Sequence, residues 1–265
     1  MKFFSQVSAT AVAVALLAVS PLAAQTTVVV TPASPGWGYT DQAGVGSATI
    51  DGTYPRSGNG SLDLSMPTGS DKAYFGTALA TPQSLTSVTS ASFDWYRSSS
   101  TVATPDLAPS FHFIIASNDG TGTKYSDLVW EWAYNNPANS SGTAPTDQWV
   151  TSDIANGDFW RSMSGPTDTS CQPLTSGAQK FSTLADWATS CYANDNPMIV
   201  GMSVGFGRVS NFAGAVDNVT VGFNGDAGTT YNFETTSSTP EPSSIALLGT
   251  GLFGLVPIVR RRRKR

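Results

Sequence analysis

What most limits the fold of this chain is the recurrence of short runs with a two-residue hydrophobic period. Each run is closed by Gly, Pro, Asn or Ser. GSATID, GSLDLSM, KAYFGTAL, TSASFDWYR, SFHFIIA, SDLVWEWAY, MIVGMSVGFG, AGAVDNVTVGF and TTYNFE all have this form. Side chains alternate across a strand, so Phe111, Phe113 and Ile115 are predicted on one face, with His112 opposite them. Leu128, Trp130, Trp132 and Tyr134 share a face in the same way. One segment departs from the pattern. In KFSTLADWATSCY the residues Phe181, Leu184, Ala188 and Cys191 fall at helical spacing, with Ser182 as the N-cap. Many short antiparallel strands and one helix predict an all-β fold, a two-sheet jelly-roll-type sandwich with one short helix. TTVVVTPASPGWGYTDQ, rich in proline, is predicted as an edge strand or arm.

The two ends do not belong to that sandwich. MKFFSQVSATAVAVALLAVSPLAAQ has a positive Lys2, an apolar stretch from Ala11 to Val19, and small residues at Ala23 and Ala24 after Pro21. This is the layout of a signal peptide over residues 1–24, cut after Ala24 by signal peptidase. At the other end the apolar run from Ile245 to Val259 is 15 residues long. It spans about 22 Å as a helix, short of a ~30 Å hydrocarbon core, so flanking residues from 243 onward are needed to complete a transmembrane segment over 243–259. Arg260, Arg261, Arg262, Arg263, Lys264 and Arg265 follow it and hold that end in the cytoplasm by the positive-inside rule. Everything upstream then lies across the membrane.

Pro240, Glu241 and Pro242, the short apolar segment and the terminal basic cluster together resemble the PEP-CTERM sorting tail. That resemblance implies recognition in a bacterial membrane by an exosortase, a protease-transpeptidase that removes the anchor. Each proline fixes its own φ and pushes the preceding residue out of the α region, which keeps the triplet extended and readable. The expected organisation is a signal peptide at 1–24, a body at 25–234, a polar spacer at 235–239 and the sorting tail at 240–265. The expected route is a precursor anchored in the inner membrane, then the cell surface or extracellular space. The closing stretch of the body, with its VDNV core and YNFE end, resembles a broad group of exported bacterial proteins taken as lectin-like or carbohydrate-binding-module-like sandwiches. This resemblance implies the fold and points toward glycans.

Of 14 basic residues, Lys2 and the six at the C-terminus lie in the ends, whereas of 19 acids only Glu241 does. The body therefore carries 18 acids against 7 bases. Such a charge repels nucleic acid and anionic lipid, so neither is expected as a partner, and the membrane enters only through the tail. Cys171 and Cys191 are expected to pair in an oxidising compartment, which would contribute on the order of 3 kcal/mol.

Candidate chemistry is sparse. A glycoside hydrolase needs two carboxyl groups across the scissile bond. Glu131 sits between Trp130 and Trp132, and Asp127 on the same strand face is about 13 Å away by pleat geometry, too far for a pair. His112 is the only histidine and has no GxSxG context. SNDGTGTKYSD offers Asn118, Asp119 and Asp127 as oxygen donors for a structural calcium ion, but lacks the EF-hand pattern, and an Asp-Gly turn explains it. No metal and no cofactor are expected. Trp130, Trp132, Tyr134, Trp149 and Trp160 are the candidate glycan-binding residues, since indole and phenol rings stack on the apolar faces of sugars. Trp149 and Trp160, outside clear alternation, are expected to be the more exposed. The reading is a non-enzymatic binding or structural module associated with exopolysaccharide. Its alternative is a glycan-active hydrolase or lyase using Glu131.

Overall fold

The structure is a computed structural model that describes residues 25–118, 120, 122–135, 142–162, 181–208 and 211–237. The expected signal peptide, the Pro240-Glu241-Pro242 triplet, the apolar run, the basic cluster from Arg260 to Arg265, Cys171 and Asp119 lie outside the described residues. Two sheets face each other. The seven-stranded sheet contains β1 (Thr26–Val30), β3 (Ser47–Asp51), β4 (Ser61–Met66), β6 (Val88–Arg97), β9 (Trp149–Asp153), β12 (Phe212–Phe223) and β13 (Thr229–Phe233). The six-stranded sheet contains β2 (Trp37–Ala43), β5 (Lys72–Ser84), β7 (Ser110–Asn118), β8 (Thr123–Trp130), β10 (Phe159–Ser162) and β11 (Met198–Gly207), in the order β10-β8-β7-β11-β5-β2. All pairings are antiparallel except that of β1, which runs parallel to β13 at the sheet edge.

The alternation read from the sequence builds the core. Phe111, Phe113 and Ile115 are fully buried. Phe93 on β6 reaches across to meet Phe111 at 6.0 Å and Trp130 at 5.5 Å, and Phe113 continues the chain of rings to Phe159 at 6.0 Å. Each such side chain contributes roughly 2–3 kcal/mol by leaving water. Trp37 fills the other end of the sandwich, edge-on to Tyr231 and Phe233.

Two local expectations are corrected. β8 ends at Trp130, and Trp132–Asn135 form a helical turn, α1, so Trp132 and Tyr134 do not continue the strand face. The Glu131 carbonyl explains the break: it accepts from Tyr134 N at 3.2 Å and from Asn135 Nδ2 at 3.0 Å, which curls the chain. The helix predicted with Ser182 as its cap begins one residue later. Ser182 is taken up by a backbone bridge to Phe159, and Thr183 caps instead, its Oγ1 accepting from Asp186 N at 3.2 Å. The helix α2 (Leu184–Asp186) then widens into a π-turn over Trp187–Cys191. Leu184, Ala188 and Cys191 are buried as the spacing predicted, whereas Phe181 precedes the helix and is half-buried. No described cysteine is free. Among the described residues no helix is long and apolar enough to cross a membrane.

The VDNV and YNFE segments form a clamp inside the seven-stranded sheet, where β12 passes from pairing with β4 to pairing with β13. Asp217 Oδ1 accepts from Phe233 N and Asn218 N, each at 2.8 Å. Asn218 takes a left-handed φ of 48°, which Asn tolerates better than most residues. Its Nδ2 donates to Asp94 Oδ2 at 2.9 Å and Ser57 Oγ at 2.6 Å. Glu234 accepts from Asn59 N, and Asn59 Oδ1 in turn accepts from Thr235 N at 2.8 Å. The loop before β4 and the end of β13 are thus locked together.

Candidate functional site

The strand register puts one continuous row of residues on the outer face of the six-stranded sheet. Trp160 lies beside Val129, then His112, Ser203, Gly76 and Gly38. The row is bulky at the β10 side and bare at the β2 side. A second row brings Ser162, Asp127, Ile114, Gly201 and Ala78 alongside it. Over these rows lies a cleft of about 770 Å³. Its walls carry the rings of Tyr74, His112, Tyr125 and Trp160, the carboxylates of Asp41, Asp127 and Glu131, and the cations Lys72 and Arg208. A shallower depression of about 410 Å³ continues it over Gly38, Gly76 and Gly201, sharing Thr40 and Ile114 with the cleft. A Cβ on Gly38 would meet nothing within 4 Å, so bare backbone forms that part of the floor.

The polar groups hold one another in place. His112 Nδ1 lies 3.5 Å from Asp127 Oδ2, and its Nε2 is 3.1 Å from Ser110 Oγ. The Tyr74 ring covers His112 with centroids 4.4 Å apart. Burial, together with the nearby carboxylates of Glu131, Asp41 and Asp127, pushes the Tyr74 phenol well above its ordinary range. It therefore stays neutral and acts as a hydrogen-bonding ring. Lys72 Nζ pairs with Asp41. Charge is close to balanced within the cleft, unlike the acidic body around it.

The predicted glycan-binding residues do not meet at one place. Trp160 stands in the cleft wall. Trp149 is on β9 of the other sheet, 5.7 Å from Tyr96 and under the Arg56 guanidinium at 6.0 Å. Trp130 is buried, and Trp132 packs against Trp95 at 5.3 Å. Both face a separate hollow beside Asn135 and Gly157. Tyr134 is 39% exposed and stacks on Phe181 at 4.1 Å. Glu131 turns into the cleft, away from its two flanking tryptophans. Having left the strand, it lines the same space as Asp127. Asn118 Oδ1 accepts from Gly120 N at 2.9 Å, an Asx-type turn. Among the described residues no group of three or more His, Cys, Asp or Glu is placed to hold a metal ion.

Sequence reasoning missed Asp41, Lys72, Tyr74, Tyr125 and Arg208. Apart from Lys72 and Tyr74, which share KAYFGTAL, each lies in a different segment, and only the register gathers them. The available signal was the outward position of Tyr74 in KAYFGTAL and of His112 in SFHFIIA, two polar rings on the solvent-facing side of core strands.

No curated protein matches the chain. Among solved structures the body is similar to the family 11 carbohydrate-binding module of the cellulosomal cellulase Lic26A-Cel5E of Clostridium thermocellum. That match has 14% identity, covers 72% of this chain and 90% of that one, and has a TM-score of 0.39. It is similar to the same organism's family 11 module in complex with a β-1,3-1,4-mixed-linked tetrasaccharide, at 13% identity, 72% and 90% coverage and a TM-score of 0.37. A carbohydrate-binding module of the β-sandwich superfamily, described as promiscuous in specificity, is similar at 12% identity, 69% and 56% coverage and a TM-score of 0.34. Residues 238–264 match the PEP-CTERM protein-sorting motif, which implies processing by an exosortase. The chain carries this motif where the triplet, the apolar run and the basic cluster stand in its sequence.

Proposed function

We propose that this protein is exported, released from its tail and displayed at the cell surface or in the extracellular matrix, where its body binds a glycan without cleaving it. The observation that carries the reading is the cleft on the six-stranded sheet. Rings of Trp160, Tyr74 and Tyr125 offer surfaces for sugar faces, and Asp41, Asp127, Lys72 and Arg208 offer charged partners for sugar hydroxyls. Exopolysaccharide is the candidate partner. In this reading residues 1–24 are removed by signal peptidase, 25–234 are the binding body, 235–239 are the spacer, and the 240–265 tail crosses the membrane through 243–259 until an exosortase acts. The pairing of Cys171 with Cys191 belongs to the same proposal.

A glycan array probed with the full chain, Trp160→Ala and Trp149→Ala tests it. Trp160→Ala is expected to lose signal while Trp149→Ala, on the opposite sheet, keeps it. Equal binding by all three would remove the cleft from the account. The second reading, a hydrolase or lyase using Glu131, is favoured by one observation: Asp127 lines the same cleft. New reducing ends or unsaturated ends that vanish in Glu131→Gln would establish it in place of simple binding.

A further inference from the structure

A small side pocket of about 120 Å³ adjoins the cleft and shares Tyr74, Glu131 and Gly207 with its wall. It differs from the cleft in chemistry. Leu107, Ala108, Ala133 and Phe206 make its sides apolar, and the hydroxyl-bearing side chains among its lining residues are those of Ser110 and Tyr74. Ala108 and Ala133 are each 5% exposed, so their short side chains leave this space inside the packed structure and not at its surface. The pocket is a small fraction of the cleft, about 120 against about 770 Å³, which suits a substituent better than a further ring. An unbranched substituent with one apolar end and one acceptor oxygen fits both its size and its lining.

Resting on the glycan-binding reading of the cleft, we infer that the bound glycan carries acetyl substituents and that the side pocket receives one. The methyl group packs against Leu107, Ala133 and Phe206. The carbonyl oxygen accepts from the hydroxyl of Tyr74. Ser110 Oγ donates to Gly205 O at 3.4 Å and lies 3.1 Å from His112 Nε2, which Asp127 holds in turn, so the polar side of the pocket is fixed from the cleft floor. A glycan without the substituent leaves an apolar hollow unfilled beside two hydroxyls and binds less tightly.

The chemistry is shared by esters and amides, and two pairs of probes separate them. Calorimetric titration of the full chain uses O-acetylated xylan against the same xylan after alkaline deacetylation, and N-acetylated against deacetylated chitosan oligosaccharides. At least tenfold tighter binding of the acetylated member is expected in one pair, which assigns the ester or the amide. Ala133→Leu, which fills the pocket, is expected to abolish that preference while leaving affinity for the deacetylated member unchanged. Ser110→Ala is expected to reduce the preference in part, and thermal melts confirm that both variants fold. Equal affinity within both pairs would overturn the inference and leave the cleft reading standing. Binding to none of the four probes would overturn it too, and the array would then decide the cleft by itself.

Discussion

The clamp within the seven-stranded sheet and the outer face of the six-stranded sheet use polar side chains in opposite ways. Within the seven-stranded sheet, Asp217 and Glu234 accept from backbone N–H groups and Asn218 donates to the Ser57 and Asp94 side chains, which ties the loop before β4 to β12 and the end of β13. On the other sheet, Asp41, Asp127, Glu131, Lys72 and Arg208 surround open space. The first set comes from two short runs, VDNV and YNFE, that each look like a motif. The second is scattered over four segments and looks like nothing until the strands are paired. A motif-like run in a sandwich of this kind therefore marks what closes the fold, while the binding surface is assembled from single residues.

The contrast can be broken most forcefully at the clamp. Asp217→Ala leaves the buried Phe233 and Asn218 N–H groups without their acceptor, which is expected to cost about 3 kcal/mol in urea unfolding. Glycan binding by the surviving folded protein should be unchanged. The reverse pattern is expected for Trp160→Ala: about tenfold weaker glycan binding, near 1.4 kcal/mol, with little change in melting temperature.

A pH series sharpens the comparison. Burial raises the Asp217 carboxyl to about 7 and the Asp63 carboxyl to about 6. Between the ordinary carboxylate range and those values the folded protein binds more protons than the unfolded chain. Stability is therefore expected to fall as pH rises from about 4 to about 7 and to level off beyond. Asp217→Asn, which keeps the shape and removes the titration, should flatten most of that slope in melts taken across the series. A persistent full slope in Asp217→Asn would place the titration elsewhere. The smallest effect on stability is expected from Gly38→Val. Its Cβ meets nothing within 4 Å, so unfolding should shift by under about 0.5 kcal/mol, while the new side chain obstructs the trough and weakens binding of long oligosaccharides more than short ones.

Much of the sandwich was legible because burial on one face imposes alternation. Phe111, Phe113 and Ile115 declared β7 and its inward side without help from any other strand. The end of β8 was not legible. The alternation of Leu128, Trp130, Trp132 and Tyr134 runs on unbroken in the sequence, and only the hydrogen bonds to the Glu131 carbonyl stop it. The cleft was hidden for a related reason. Trp160 was singled out as a lone aromatic, but its neighbours in space, His112 and Tyr74, lie 48 and 86 positions earlier in the chain. Register decides such meetings, and register comes from pairing partners that a single segment does not contain.

Hydrogen exchange of the full chain with and without a glycan identified on the array tests the central claim most directly. Added protection confined to β5, β7, β8 and β10, with the seven-stranded sheet unchanged, is the expected result. Protection centred on β6 and β9 around Trp149, or none at saturating glycan, would contradict the assignment of binding to the six-stranded face.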